Sequence, residues 1–327
     1  MLSQMVKGDS EKRLFCLIQA EKFICINGFK QSTVSPKRRA LHHCYAYMRI
    51  MAETTSIADD LSANIERTSI SDEDPAYTDF RKCPNIAFSD NIMETEKDPR
   101  VAQRDLNLAI PGRWSLTLFP KMYGVAESFL MLMSQVIRLA NERDRSLENG
   151  DDGMLNLKDF WVRAKTLERG IQHLRESCTS MDSSAHDNEG SSQVGDGRAL
   201  AMYTALMIFF YRRIYDLDAA LLQQEVDSVR DSLVRVRQDE AGYSEGNTAT
   251  LIWPAFIAAC EAVSLESQHF FWSWFDSCLT TTGLVNASLA KQILETIWTK
   301  RREAGQYEKR CNWPDVLRAK RIRLMLM

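Results

Sequence analysis

Apolar positions recur at steps of three and four along most of the chain, the pattern of helices that bury one stripe. The clearest run is Ala219, Leu222, Val226, Val229, Leu233 and Val236. It predicts a helix over 217–236, and the run is too short for a coiled coil, so an intramolecular seam is expected. The same spacing predicts helices over 11–26, 38–60, 122–141 and 156–178. Their expected buried stripes include Leu41, Cys44, Tyr45 and Met48, then Phe129, Leu132, Met133 and Val136, then Phe160, Trp161, Ala164 and Leu167. From Ala199 to Tyr211 the chain is apolar nearly all round, which predicts a central buried helix. A further stripe of Ala290, Ile293, Leu294, Ile297 and Trp298 follows Asn286, and Asn312 precedes a last short helix.

The densest apolar stretch runs from Leu251 to Gly283 and holds seven aromatics between Trp253 and Phe275. Pro254 suits the first turn of a helix, where its missing N–H costs nothing. Ser264 is placed to cap a second helix, with Phe271, Trp274, Phe275 and Cys278 on one stripe and Gly283 as its terminator. Two readings stand side by side: a packed helix hairpin, because aromatics dominate cores, and an aromatic-walled pocket. On the second reading Trp253 and Phe256 meet the cations Arg212 and Arg213 as a partner or effector site.

Two stretches break the helical pattern. Residues 61–112 are acidic and polar, with Asp74-Pro75, Cys83-Pro84, Asp98-Pro99 and Pro111-Gly112 as turn signals. Residues 179–197 are rich in Ser, Asp and Gly. Both read as mobile insertions with little core of their own. No stretch alternates as a strand does. The expectation is an all-α fold, one irregular multi-helix domain over 38–327 with two disordered insertions, preceded by a poorly defined arm over 1–37.

Composition changes this picture little. The net charge of −3 gives no overall nucleic-acid signature, although the ends are basic and 51–112 is acidic. Pro36-Lys37-Arg38-Arg39 is a candidate nuclear-localisation tetrad. No secretory signal is visible, the longest apolar run is too short for a bilayer, and no membrane partner is expected. The eight cysteines include no C-x-x-C pair, so neither a disulfide framework nor a zinc site is expected within this chain. His42 and His43 are adjacent and point to different faces, a poor metal pair. Nucleophile-elbow, metalloprotease, phosphate-loop and calcium-loop motifs are all missing, so no catalytic residue is assigned. The expectation is a non-enzyme.

Several blocks carry a resemblance. They are RRALHHCYAYMRIMAET, Tyr123-Gly124-Val125 with SQVIRLANERD, FWVRAKTLERGI, MIFFYRRIYDLDAALLQQEVDSVRD and IWPAFIAACEA, then Ile297-Trp298 followed by Asn312-Trp313. In order and content they resemble the regulatory domain of fungal-specific transcription factors of the zinc-cluster kind, most like the arginine metabolism regulation protein II type. The resemblance covers roughly 38–327. It implies a nuclear regulator of RNA polymerase II transcription, partnered with other transcription regulators or with a zinc-cluster paralogue as a homo- or heterodimer. The family's six-cysteine zinc module has no counterpart here, so no zinc cofactor and no DNA-contacting residue carries over. DNA contact is expected only through a module outside this chain, whether by a truncated gene or by true loss. The alternatives are a helical adaptor that binds no DNA and an all-α enzyme.

Overall fold

The computed structural model describes residues 10–27, 34–56, 95–148, 156–182, 192–240, 251–282, 285–303 and 312–320, with 322, 324 and 326. The helices are α1 (Ser10–Asn27), α2 (Pro36–Glu53), α3 (Pro99–Arg104), α4 (Phe119–Tyr123), α5 (Glu127–Glu148), α6 (Leu157–Asp182) and α7 (Ser192–Phe210). A π-turn (Tyr211–Tyr215) and a 3-10 turn (Ala219–Leu222) lead into α8 (Gln223–Glu240), α9 (Ile252–Glu261), α10 (Leu265–Thr282), α11 (Val285–Glu303) and α12 (Trp313–Lys320). The fold is all-α. Among the described residues the only bridge between extended segments joins Glu96 and Arg113. The chain divides into two compact units, 11–170 and 171–327, the second also taking residues 1–10.

In the first unit α2 packs on α5. Ser35 caps α2 through the Arg38 N–H, and Pro36 occupies its first turn. The buried face of α2 differs from the expected stripe. Leu41 is exposed, whereas His42, His43, Ala46, Arg49, Ile50 and Glu53 are buried. Arg49 and Glu53 neutralise each other at 2.8 Å, so the charged positions go inward and the leucine outward. Tyr45 and Met51 of the expected stripe are buried, so the hydropathy pattern fails at Leu41 and at the charged positions only.

In α5 every residue from Phe129 to Asn141 is buried. Its polar members are roofed by the loop 105–110. Ser134 donates to the Asn107 carbonyl, and Gln135 donates to the Ala109 carbonyl. That loop falls in the stretch expected to be a mobile insertion, and for 95–112 the expectation is corrected. Asp98 caps α3 through the N–H groups of Arg100 and Val101. Lys97 is buried between Asp105 (3.6 Å) and Glu127 (3.1 Å). Asp105 also accepts from the N–H groups of Ala109 and Ile110, which holds Leu108 at φ 46°. Charges that would be solvated in a loop are here paired in the interior. Residues 57–94, the rest of that stretch, lie outside the described residues, as do 183–191 of the second. Helices enter both ends of the second stretch, at Asp182 and Ser192.

Within this unit Asn156 caps α6 through the Asp159 N–H. Arg163 then spans Glu142 at 2.7 Å and Asp159 at 2.8 Å. Phe160, Ala164 and Leu167 are buried as expected, while Trp161 remains 45% exposed.

In the second unit α7 and α8 lie side by side. All six residues of the α8 stripe, from Ala219 to Val236, are buried. The central element is α9. Its ten residues are all buried, and it packs against α7, α8, α10, α11 and the 3-10 turn. Ser264 caps α10 through the Ser267 N–H, and Phe271, Trp274, Phe275 and Cys278 face inward. Gly283 lies outside the described residues. Asn312 caps α12 through the Asp315 N–H.

Candidate functional site

The four residues assigned to a partner or effector site lie within one connected interior. Trp253 and Phe256 have no exposed surface. The Trp253 ring lies 6.0 Å from that of Phe209, which stacks on Trp313 at 6.0 Å. The Arg213 guanidinium sits 5.9 Å from the centre of the Trp313 ring. This links α7, the π-turn, α9 and α12.

Arg212 reaches α9 by charge. Its Nε lies 2.9 Å from Oε1 of Glu261, whose side chain is fully buried. The two opposite charges form an ion pair in the interior. Arg301 of α11 approaches the other carboxylate oxygen at 3.4 Å and donates to the Cys260 and Ala262 carbonyls. Trp298 donates to the Ala259 carbonyl and Gln223 to that of Glu261. The carbonyls at the end of α9, which no further helical turn satisfies, are thus capped by side chains from neighbouring elements. Burial raises the Glu261 pKa, and the two arginines oppose that rise.

The π-turn that presents Arg212 ends at Asp216, φ 51°, whose N–H donates to the Tyr211 carbonyl. Arg212 also donates to the Leu217 carbonyl just beyond it. Such π-turns concentrate at functional positions in helices.

A second location escaped the sequence reading. In the first unit a cavity is walled by Trp114, Phe119, His42, His43, Arg39 and Glu127, with Val34, Ala46, Ala102, Gln103, Asp105, Leu106 and Leu108 completing it. It is a narrow cavity of about 20 Å³, partly open to solvent. Arg39 lies 5.4 Å from the centre of the Trp114 ring and donates to the Leu116 carbonyl. His43 Nδ1 donates to the Arg39 carbonyl at 2.9 Å, which leaves Nε2 to accept from the Thr117 hydroxyl at 3.3 Å. Burial pushes the His43 pKa down to about 4. Of its lining residues the sequence reading singles out His42 and His43, as a poor metal pair, and Arg39, in the basic tetrad; Trp114, just beyond the 61–112 stretch, carries no signal.

Among the described residues no group of three or more His, Cys, Asp or Glu is placed to hold a metal ion. No described helix is long and apolar enough to cross a membrane. Neither a curated protein nor a solved structure matches the chain. The family model of the fungal-specific transcription factor domain matches residues 1–327, the whole chain. With the all-α fold, that match places the chain in the fungal-specific transcription factor domain family.

Proposed function

We propose that this chain is the regulatory domain of a fungal zinc-cluster regulator, acting in the nucleus on transcription by RNA polymerase II. One observation carries the reading: the family match spans every residue of the chain. Its relatives in kind are the arginine metabolism regulation protein II type, the resemblance carried by blocks such as IWPAFIAACEA. The domain works by binding and by biasing an attached activity, not by catalysis. DNA is contacted by a six-cysteine zinc module outside this chain, and the partners are other transcription regulators, a zinc-cluster paralogue among them. Pro36-Lys37-Arg38-Arg39, at the start of α2, is the import signal; Pro36, Lys37 and Arg38 are exposed. Arg212, Arg213, Trp253 and Phe256 form the region through which a partner is felt. Because the two aromatics are fully buried, α9 must shift for a ligand to touch them.

The test is a fusion of the whole chain to an unrelated DNA-binding domain in a fungal reporter strain. The fusion is expected to raise or lower reporter output relative to the DNA-binding domain alone, with the protein in the nucleus. Unchanged output from a nuclear, folded fusion removes the regulatory reading. A gel shift with the purified chain tests the external DNA module: sequence-specific binding without zinc overturns it.

A further inference from the structure

We propose that the outward face of α6 over 157–169 docks an acidic amphipathic helical segment of a partner protein. The inference does not depend on the transcriptional reading. Three large apolar side chains within six residues stand in solvent: Leu157 (64% exposed), Trp161 (45%) and Val162 (58%). Single exposed apolar residues are ordinary, but a cluster marks an interaction site. Trp161 is already oriented, because its ring meets that of the buried Phe160 edge to face at 5.6 Å. An aromatic held in one orientation loses little further freedom on binding, and exposed tryptophans of this kind anchor interfaces.

Charge selects the partner. Lys158, Lys165 and Arg169 are exposed on the same stretch. Its acids, Asp159 and Glu168, are half-buried, and Asp159 is held by Arg163 at 2.8 Å. Neither Lys158 nor Lys165 has an ion-pair partner among the described residues. At about 100° of helix per residue the three cations fall in one row, with Leu157 and Trp161 on one flank and Val162 on the other. A helix that lies on a membrane keeps its apolar and cationic faces apart. Here acyl chains that covered Trp161 and Val162 would also draw in the row of cations between them. A nucleic-acid backbone would satisfy the cations and leave the three apolar side chains against phosphate. A helix with Asp or Glu set between Leu or Phe satisfies both, its carboxylates on the row and its apolar side chains on the flanks. The stretch is about 18 Å long, roughly three helical turns, so the docked segment is short.

The experiment is fluorescence anisotropy on the full chain with a labelled helical peptide in which Glu is interspersed with Leu and Phe. Two control peptides carry Lys in place of Glu, or Ser in place of Leu and Phe. The acidic amphipathic peptide is expected to bind saturably, with a Kd on the order of 1–100 μM, and at least about tenfold more tightly than either control. Trp161→Ala is expected to weaken it about tenfold or more. Lys158→Glu combined with Lys165→Glu is expected to weaken it by a similar factor and to flatten its dependence on salt. Both lysines are exposed, so the double variant is expected to melt as the wild type does, and it decides the matter if Trp161→Ala does not fold. An absence of saturable binding overturns the proposal, as does equal binding of either control or undiminished binding by the folded variants. Duplex DNA, or vesicles of phosphatidylserine and phosphatidylcholine, bound more tightly than the peptide through Trp161 and the two lysines would assign the face to that class and also overturn it.

Discussion

Arg212 and Glu261 approach within 2.9 Å where neither side chain has appreciable contact with solvent. The pair joins the π-turn after α7 to the last residue of α9, and Arg301 supplies a second cation from α11. Removing one member of a buried pair strands the other, at a cost of about 3–5 kcal/mol. Arg212→Met is therefore expected to lower unfolding stability by that order in urea titrations. The double replacement Arg212→Met with Glu261→Met strands no carboxylate and is expected to recover part of the loss. A double change that costs as much as the sum of the singles would show that the pair acts separately.

His43 sets an acid limit on stability. Burial holds its folded pKa near 4, below the ordinary 6.5. The unfolded chain binds this proton more readily, so stability rises with pH across the window from about 4 to 6.5. The contribution is fully present above pH 6.5 and is lost as pH falls towards 4, roughly 3 kcal/mol at most over the whole interval. Urea midpoints measured between pH 4.5 and pH 7.5 are expected to climb in wild type. In His43→Asn the slope is expected to be shallower, whatever the absolute stability of the variant.

Gly112 tests the 95–113 segment. It sits at φ 126°, and a Cβ there would lie 2.8 Å from Lys97 Cγ and 2.9 Å from the Thr95 carbonyl. Both hydrogen bonds between the Lys97 and Arg113 neighbourhoods, Lys97 N–H to Arg113 and Arg113 N–H to Thr95, flank it. Gly112→Ala combines a strained backbone with a clash and is expected to cost about 1–3 kcal/mol. Hydrogen exchange should show the loss as faster exchange at the Lys97 and Arg113 amides. Unchanged exchange there would mean that the segment tolerates the side chain.

The sequence exposed most where apolar residues alone do the work. The α8 stripe and the inward face of α10 followed the helical period residue by residue, because nothing charged competes for those positions. The α2 face did not, since His42, His43, Arg49 and Glu53 are buried beside partners that are distant in sequence or invisible to a hydropathy pattern. The same reason hid the cavity. Trp114 and Glu127 line one cavity beside a polar stretch that Lys97 ties inward through Asp105 and Glu127. The aromatic stretch was legible as a packing centre in Trp253 and Phe256. The capping of α9 by Trp298, Arg301 and Gln223 was not, because it joins carbonyls to side chains about forty residues away.

The seam between α7 and α8 allows one chemical change to be compared in two environments. Leu233 faces inward and is 1% exposed, while Leu221, at the entry to the same helix, is 69% exposed. Gly197 of α7 stands with its would-be Cβ 3.2 Å from Val236, so the two helices approach closely near the Leu233 end. A close-packed seam relaxes poorly around a deleted side chain. Leu233→Ala is therefore expected to lose the transfer energy of the removed atoms and to leave a cavity, about 2–5 kcal/mol together. Leu221→Ala removes atoms already in water and is expected to stay within about 0.5 kcal/mol. Parallel urea titrations of the two variants measure the difference directly. Equal losses would place α8 in another register, with a different set of residues against α7.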